Sequence, residues 1–214
     1  MAVLVLALAA CSSAVRFEPE TPGYHTVRKG DTLYSIAFRN ELNWRELADW
    51  NRIDPPYTID VGQKLRLSAP LTITTVPPKG STAPKPVPRP PLPSGPPSKL
   101  GWIWPADGRN AVGGKGIDVA GSRGNEVRAA ADGRVVYVGS GLVGYGKVII
   151  VKHDDRYLSA YAHNDGFLVR EGEAVKRGQR IATMGLGPGQ RPMLHFEIRL
   201  DGRAVDPQKL LPKR

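Results

Sequence analysis

Residues 69–99 hold about half of the chain's 20 prolines and show no apolar periodicity. A stretch of this kind cannot bury enough apolar surface to offset the entropy of ordering it. It therefore divides the 214 residues into two pieces, with modest cores rather than one large one. The stretch is expected to be an extended, polyproline-like linker, reaching towards about 90 Å at ~3.1 Å per residue. Its charges are Lys79, Lys85, Arg89 and Lys99, with no acid. Residues 1–68 balance eight basic against eight acidic side chains, and residues 100–214 carry eighteen against twelve. The resulting net charge of +10 fits an anionic partner such as a cell-wall polymer or lipid head groups. No basic helix or aromatic–basic interleaving accompanies it, which argues against nucleic acid.

The N-terminus reads as an address. Residues 2–10 (AVLVLALAA) are apolar throughout, but the run is shorter than the roughly 20 residues that span a bilayer. It has the character of a signal-peptide core. It ends in Leu8-Ala9-Ala10-Cys11, which resembles a bacterial lipobox. That resemblance implies a lipoprotein signal peptide over 1–10, a lipidated Cys11 and a tether over 11–22. Ser12 in place of Asp implies sorting to the outer membrane, facing the periplasm. An ordinary secretory signal is the alternative. Cys11 is the one cysteine, so no intramolecular disulfide can form.

Residues 23–68 predict a β-α-α-β unit. Tyr24 to Val27 alternates like a strand, and Arg28-Lys29-Gly30-Asp31 forms a turn after which Asp31 or Thr32 can cap a helix. Leu33, Ile36 and Ala37 have helical spacing, and Trp44, Leu47 and Trp50 mark a second short helix. Asn51-Arg52-Ile53 and Pro55-Pro56 stop it, and Lys64 to Leu67 is a final strand. The segments GDTLYSIA, NRIDPP and VGQKL resemble the LysM family. The resemblance implies binding of the N-acetylglucosamine chains of peptidoglycan between two loops, with Gly30, Asp31, Thr32 and Leu33 on one side and Ile53, Tyr57, Ile59 and Asp60 on the other. An apolar floor with a few hydrogen-bonding groups suits acetamido sugars. Trp44 and Trp50 are expected in the core rather than under a sugar.

Residues 100–214 predict a mainly antiparallel β domain, a sandwich or partial barrel, from short strands at 134–138, 147–153, 158–163, 180–184 and 193–200 punctuated by glycines. The segments GKGIDVAG, AAADGRVVYVG, GYGKVIIVKH, LSAYAHN, VKRGQRIATMG and LHFEIR resemble the M23 (LytM-type) metallopeptidases. The order of signal, LysM, proline-rich linker and LytM domain is similar to the NlpD branch of bacterial lipoproteins.

Active M23 enzymes use a His-x-x-x-Asp pair and a His-x-His pair, with the first His, the Asp and the last His on zinc. The resemblance maps Asp118 and His195 onto two of these ligands and keeps His163 of Tyr161-Ala162-His163. Gly114 stands where the first ligand should be, and Met193 where the first His of the later pair should be. Catalytic zinc takes three protein ligands and a water. A crude even share of a four-ligand site makes each ligand worth about 3–4 kcal/mol, or roughly two to three orders of magnitude in affinity. Lys115 is a poor substitute, because its charge repels a metal. The site is expected to be degenerate, without zinc or other cofactor, leaving Asp118, His163 and His195 as a hydrogen-bonded remnant. His25 and His153 carry no expected chemistry.

The NlpD-type resemblance implies an activator of an N-acetylmuramoyl-L-alanine amidase in septal cell-wall splitting, not an enzyme. Candidate partner contacts near the groove are Tyr145, Tyr161, Arg191 and Arg199. Two alternatives stay open: a weak zinc-dependent peptidoglycan endopeptidase, and a structural tether between outer membrane and wall.

Overall fold

The computed structural model describes residues 23–70 and 100–214. The expected signal peptide, the lipidated tether with Cys11, and the linker from residue 71 to 99 lie outside the described residues.

The N-terminal unit is β1 (Tyr24–Thr26), α1 (Leu33–Arg39), α2 (Trp44–Asn51) and β2 (Lys64–Arg66). The two strands pair antiparallel, with His25 opposite Leu65. Thr32, not Asp31, caps α1. Its Oγ1 accepts from Ser35 N at 3.1 Å, while Ser35 Oγ accepts from Thr32 N at 2.9 Å, which satisfies two orphan donors reciprocally. Asp31 instead accepts from Arg28 N at 2.9 Å and pairs with His25 and Arg39, which gives His25 a structural role. Asn43 caps α2, and Arg52 ends it in the left-handed region at φ 55°. Trp44 is in the core as expected, and Trp50 is half-buried.

The C-terminal unit holds β3 (Asn110–Gly113), β4 (Gly116–Ala120), β5 (Glu126–Arg128), β6 (Gly133–Gly139), β7 (Val148–Lys152), β8 (Tyr157–Ala162), β9 (Asn164–Phe167), β10 (Ala174–Val175), β11 (Arg180–Leu186), β12 (Pro192–Leu200) and β13 (Arg203–Val205). They form one antiparallel sheet whose main path runs β10-β6-β7-β8-β12-β11-β5. β4 pairs with β12 and β3, β9 with β11, and β13 with β12. All five sequence-predicted strands are present, as β6, β7, β8, β11 and β12. The remaining strands are two to five residues long, too short for alternation to register.

The two units do not keep separate cores. Val148 to Val151 of β7 is buried without alternation, which requires cover on both faces of the sheet. Ile149 and Val151 pack with Trp102, Ile117 and Phe196, while Val148 and Ile150 pack with Leu33, Phe38 and Leu47 of the N-terminal unit. Polar contacts pin this arrangement. Thr32 Oγ1 donates to Val136 O at 3.1 Å, Arg199 Nη1 donates to Phe38 O at 2.6 Å, and the Lys152 ammonium stands 5.0 Å from the Trp44 ring centroid. Arg45 pairs with Asp155, and Lys115 with Glu41.

Candidate functional site

The N-terminal half of β12 runs between β4 and β8, with His195 opposite both Asp118 and Ala162. Strand alternation places Met193, His195, Glu197 and Arg199 on one face. The site that results is a chain of hydrogen bonds. His195 Nδ1 lies 2.6 Å from Asp118 Oδ1, and its Nε2 lies 3.1 Å from Glu197 Oε1. The Tyr145 hydroxyl donates to the same Glu197 oxygen at 2.7 Å. Arg199 Nε and Nη2 donate to Glu197 Oε2 at 3.0 and 2.9 Å. His163, held at φ 61°, places its ring centroid 6.3 Å from that of His195. Gly114 sits at φ 63° in the turn between β3 and β4. Met193 packs its sulfur against Gly187: a Cβ there would come 2.4 Å from Sδ, so the thioether would have to shift.

Charge follows from this geometry. Burial works against a charged His195, but its hydrogen bonds to Glu197 and Asp118 outweigh burial and raise its pKa. Burial also opposes ionisation of Glu197, and the His195 bond and the Arg199 charge overcome it, holding that carboxyl below its usual range. His163 is depressed, by burial first and by His195 second. His195 thus lies between the carboxyl groups of Asp118 and Glu197.

Of the three ligand positions that the M23 resemblance asks for, Asp118 and His195 carry donor side chains. A ligating imidazole needs a lone pair on one nitrogen, and both His195 nitrogens face carboxylate oxygens. Gly114 has no side chain, and the uncharged Met193 thioether is not among the Cys, His, Asp and Glu groups that usually hold zinc. Among the described residues no group of three or more His, Cys, Asp or Glu side chains is placed to hold a metal ion.

Two expected partner contacts are corrected by burial. Tyr161 is 0% exposed, and its hydroxyl accepts from Ala130 N at 2.8 Å and from Ser159 Oγ at 2.9 Å. Arg199 is 1% exposed. Neither can touch another molecule. Tyr145 is half-buried and Arg191 exposed. Of the expected sugar contacts, Asp31, Thr32, Leu33, Tyr57 and Ile59 line one cleft. The Leu33 side chain, 1% exposed, belongs to the shared core. Gly30 lines an adjoining cleft, Ile53 packs half-buried on the core, and Asp60 is exposed in a turn. Sequence reasoning missed Glu197, although its i+2 spacing from His195 on a strand was the available signal.

His153 also has a role. Its Nδ1 meets Asp132 O and its Nε2 meets Ser159 Oγ, both at 2.7 Å, with Trp102 edge-on. Burial lowers its pKa to about 4 from 6.5. A depressed folded value means the unfolded chain binds the proton first, so stability is lost as pH falls from about 6.5 to about 4, by up to about 3 kcal/mol. His195 contributes with the opposite sign: its raised value stabilises below the unfolded pKa and is lost as pH rises through the folded one. Urea unfolding at pH 7 and pH 4.5 is expected to show the acid loss in the wild type and a flatter dependence in His153→Gln. Equal slopes would show that His153 is not responsible.

Two family descriptions match this chain: the LysM domain over residues 25–68 and Peptidase family M23 over residues 113–207. A lipoprotein NlpD/LppB homolog of Pseudomonas aeruginosa is 44% identical over all of this chain and 91% of its own length. The lipoprotein YgeR of Escherichia coli is 41% identical over 97% of this chain and 89% of its own length. The murein hydrolase activator NlpD of Salmonella typhimurium is 37% identical over 89% of this chain and 68% of its own length. The chain belongs to the NlpD/LppB family of lipoproteins, built from a LysM domain followed by an M23 domain.

Proposed function

We propose that this chain is a peptidoglycan-binding envelope lipoprotein that activates an N-acetylmuramoyl-L-alanine amidase and has no hydrolase activity of its own. The observation that carries the reading is His195 closed between Asp118 and Glu197, with Gly114 and Met193 at the positions where the M23 resemblance asks for histidines. Gly114 has no side chain to ligate a metal, and the Met193 thioether cannot take a proton from water. The name of the Salmonella relative, a murein hydrolase activator, supports the same reading. Lipid on Cys11 anchors the chain at the outer membrane, on the periplasmic side. The LysM domain holds it on the wall.

Activation follows from differential binding: the chain favours the amidase's open state, and only that difference in affinity can activate it. A difference of about 3 kcal/mol raises a small open fraction roughly a hundredfold. Arg191 and Tyr145 remain as candidate contacts, because both reach solvent beside the groove.

No structural or catalytic zinc is part of this function. A ligand at about a hundred times its Kd adds about 2.7 kcal/mol to stability. Urea unfolding midpoints are therefore expected to be the same with micromolar zinc, with a chelator and with neither. A zinc-dependent rise of that size, together with fragment release from purified peptidoglycan by the chain alone, would overturn the reading.

A further inference from the structure

The cleft that holds Asp31, Thr32, Tyr57 and Ile59 is not made by the LysM domain alone. It encloses about 350 Å³, and its other wall is Arg134 to Val136 of β6 with the Glu171–Gly172 turn. That volume lies in the roughly 300–1,000 Å³ range of small-ligand sites. Tyr34, Tyr57 and Ile59 supply an aromatic and aliphatic floor. On the facing wall, Arg134 is exposed and donates through Nη1 to Gly172 O at 2.5 Å, which ties it to the turn that carries the exposed Glu171. The two walls are held in register by the Thr32 Oγ1 bond to Val136 O.

We infer that the saccharide site is composite, with Arg134 and Glu171 of the M23 domain as binding residues for an acetamido-sugar chain seated on Tyr34, Tyr57 and Ile59 of the LysM domain. This rests on the peptidoglycan-binding reading above and extends it to residues outside the LysM match. The chemistry is complementary. A carboxylate accepts from sugar hydroxyls and amide N–H groups, a guanidinium donates to acetyl carbonyls, and aromatic faces cover the apolar face of a sugar ring. Glycan binding then depends on the two domains staying docked, so sugar occupancy and the orientation of the M23 groove are linked.

The test is a calorimetric titration of the soluble full chain with a β-1,4-linked N-acetylglucosamine tetramer. Wild type, Arg134→Ala, Glu171→Gln, Glu171→Ala and Tyr57→Ala are compared, with melting curves to check folding. The inference expects saturable binding by wild type and a loss of roughly tenfold or more in each of the four variants, because hydrogen bonds to charged groups and ring contacts are worth that much in affinity. Wild-type affinity in the Arg134 and Glu171 variants, with loss only in Tyr57→Ala, would overturn the composite site and leave the LysM reading standing. No binding by wild type would overturn both.

Discussion

Arg199→Ala is expected to lower the unfolding free energy by about 3–5 kcal/mol, the range for removing one partner of a buried ion pair. Arg199 and Glu197 are each 1% exposed, and the guanidinium makes two bonds to one Glu197 oxygen. It also donates to Phe38 O and lies 3.5 Å from the Phe38 ring centroid. Deleting it leaves a buried carboxylate with only Tyr145 and His195 as partners, and leaves the Phe38 carbonyl with the Glu41 N–H at 3.3 Å as a donor. Because the bond to Phe38 crosses between domains, the loss is also expected to loosen docking. The double variant Arg199→Met with Glu197→Leu is expected to recover a large part of the loss, since replacing a buried pair by apolar groups is often neutral. Equilibrium unfolding of the two single variants and the double variant checks this. Additive effects would show that the pair is not coupled.

The second large effect is at Gly202, in the turn between β12 and β13. Its φ is +84°, and a Cβ there would stand 2.3 Å from the Leu42 carbonyl carbon, 2.4 Å from its oxygen and 2.5 Å from Asn43 N. These are backbone atoms of the LysM domain and cannot swing aside as a side-chain end could. Gly202→Val is expected to cost roughly 1–2 kcal/mol from the left-handed backbone and about 1–3 kcal/mol more from overpacking. The LysM domain is the part that can yield. Hydrogen exchange at α1 and α2 is therefore expected to speed up more than in β7 and β8. Uniform loss of protection, or none, would contradict the close approach of the two domains.

Much of this was legible in the sequence because local signals agreed with the final packing. GDTLYSIA sets the turn, the cap and the buried face of α1, and the five longer strands carry enough β-branched and aromatic residues to declare themselves. Docking of the domains was not foreseen, since nothing local states which surface covers an apolar strand. The unalternating Val148-Ile149-Ile150-Val151 was nevertheless its trace. A proline-rich stretch separates two segments in sequence but does not state whether they pack on one another in space. Asp118, His163 and His195 could be found from motif spacing. Their condition could not, because it depends on Glu197 and Arg199, whose charges are masked in sequence as ordinary polar positions of a strand. Tyr161 and Arg199 look like surface groups in sequence for the same reason: residue type alone does not reveal a fully satisfied buried hydroxyl or guanidinium.

The most direct measurement mixes the soluble chain, starting at Ser12, with purified peptidoglycan and a resting N-acetylmuramoyl-L-alanine amidase, and follows release of soluble fragments. Release is predicted only when both proteins are present, with chelation removing it through the amidase's metal. Release by this chain alone, abolished by a chelator, would contradict the central claim and show that Gly114 and Met193 had been compensated.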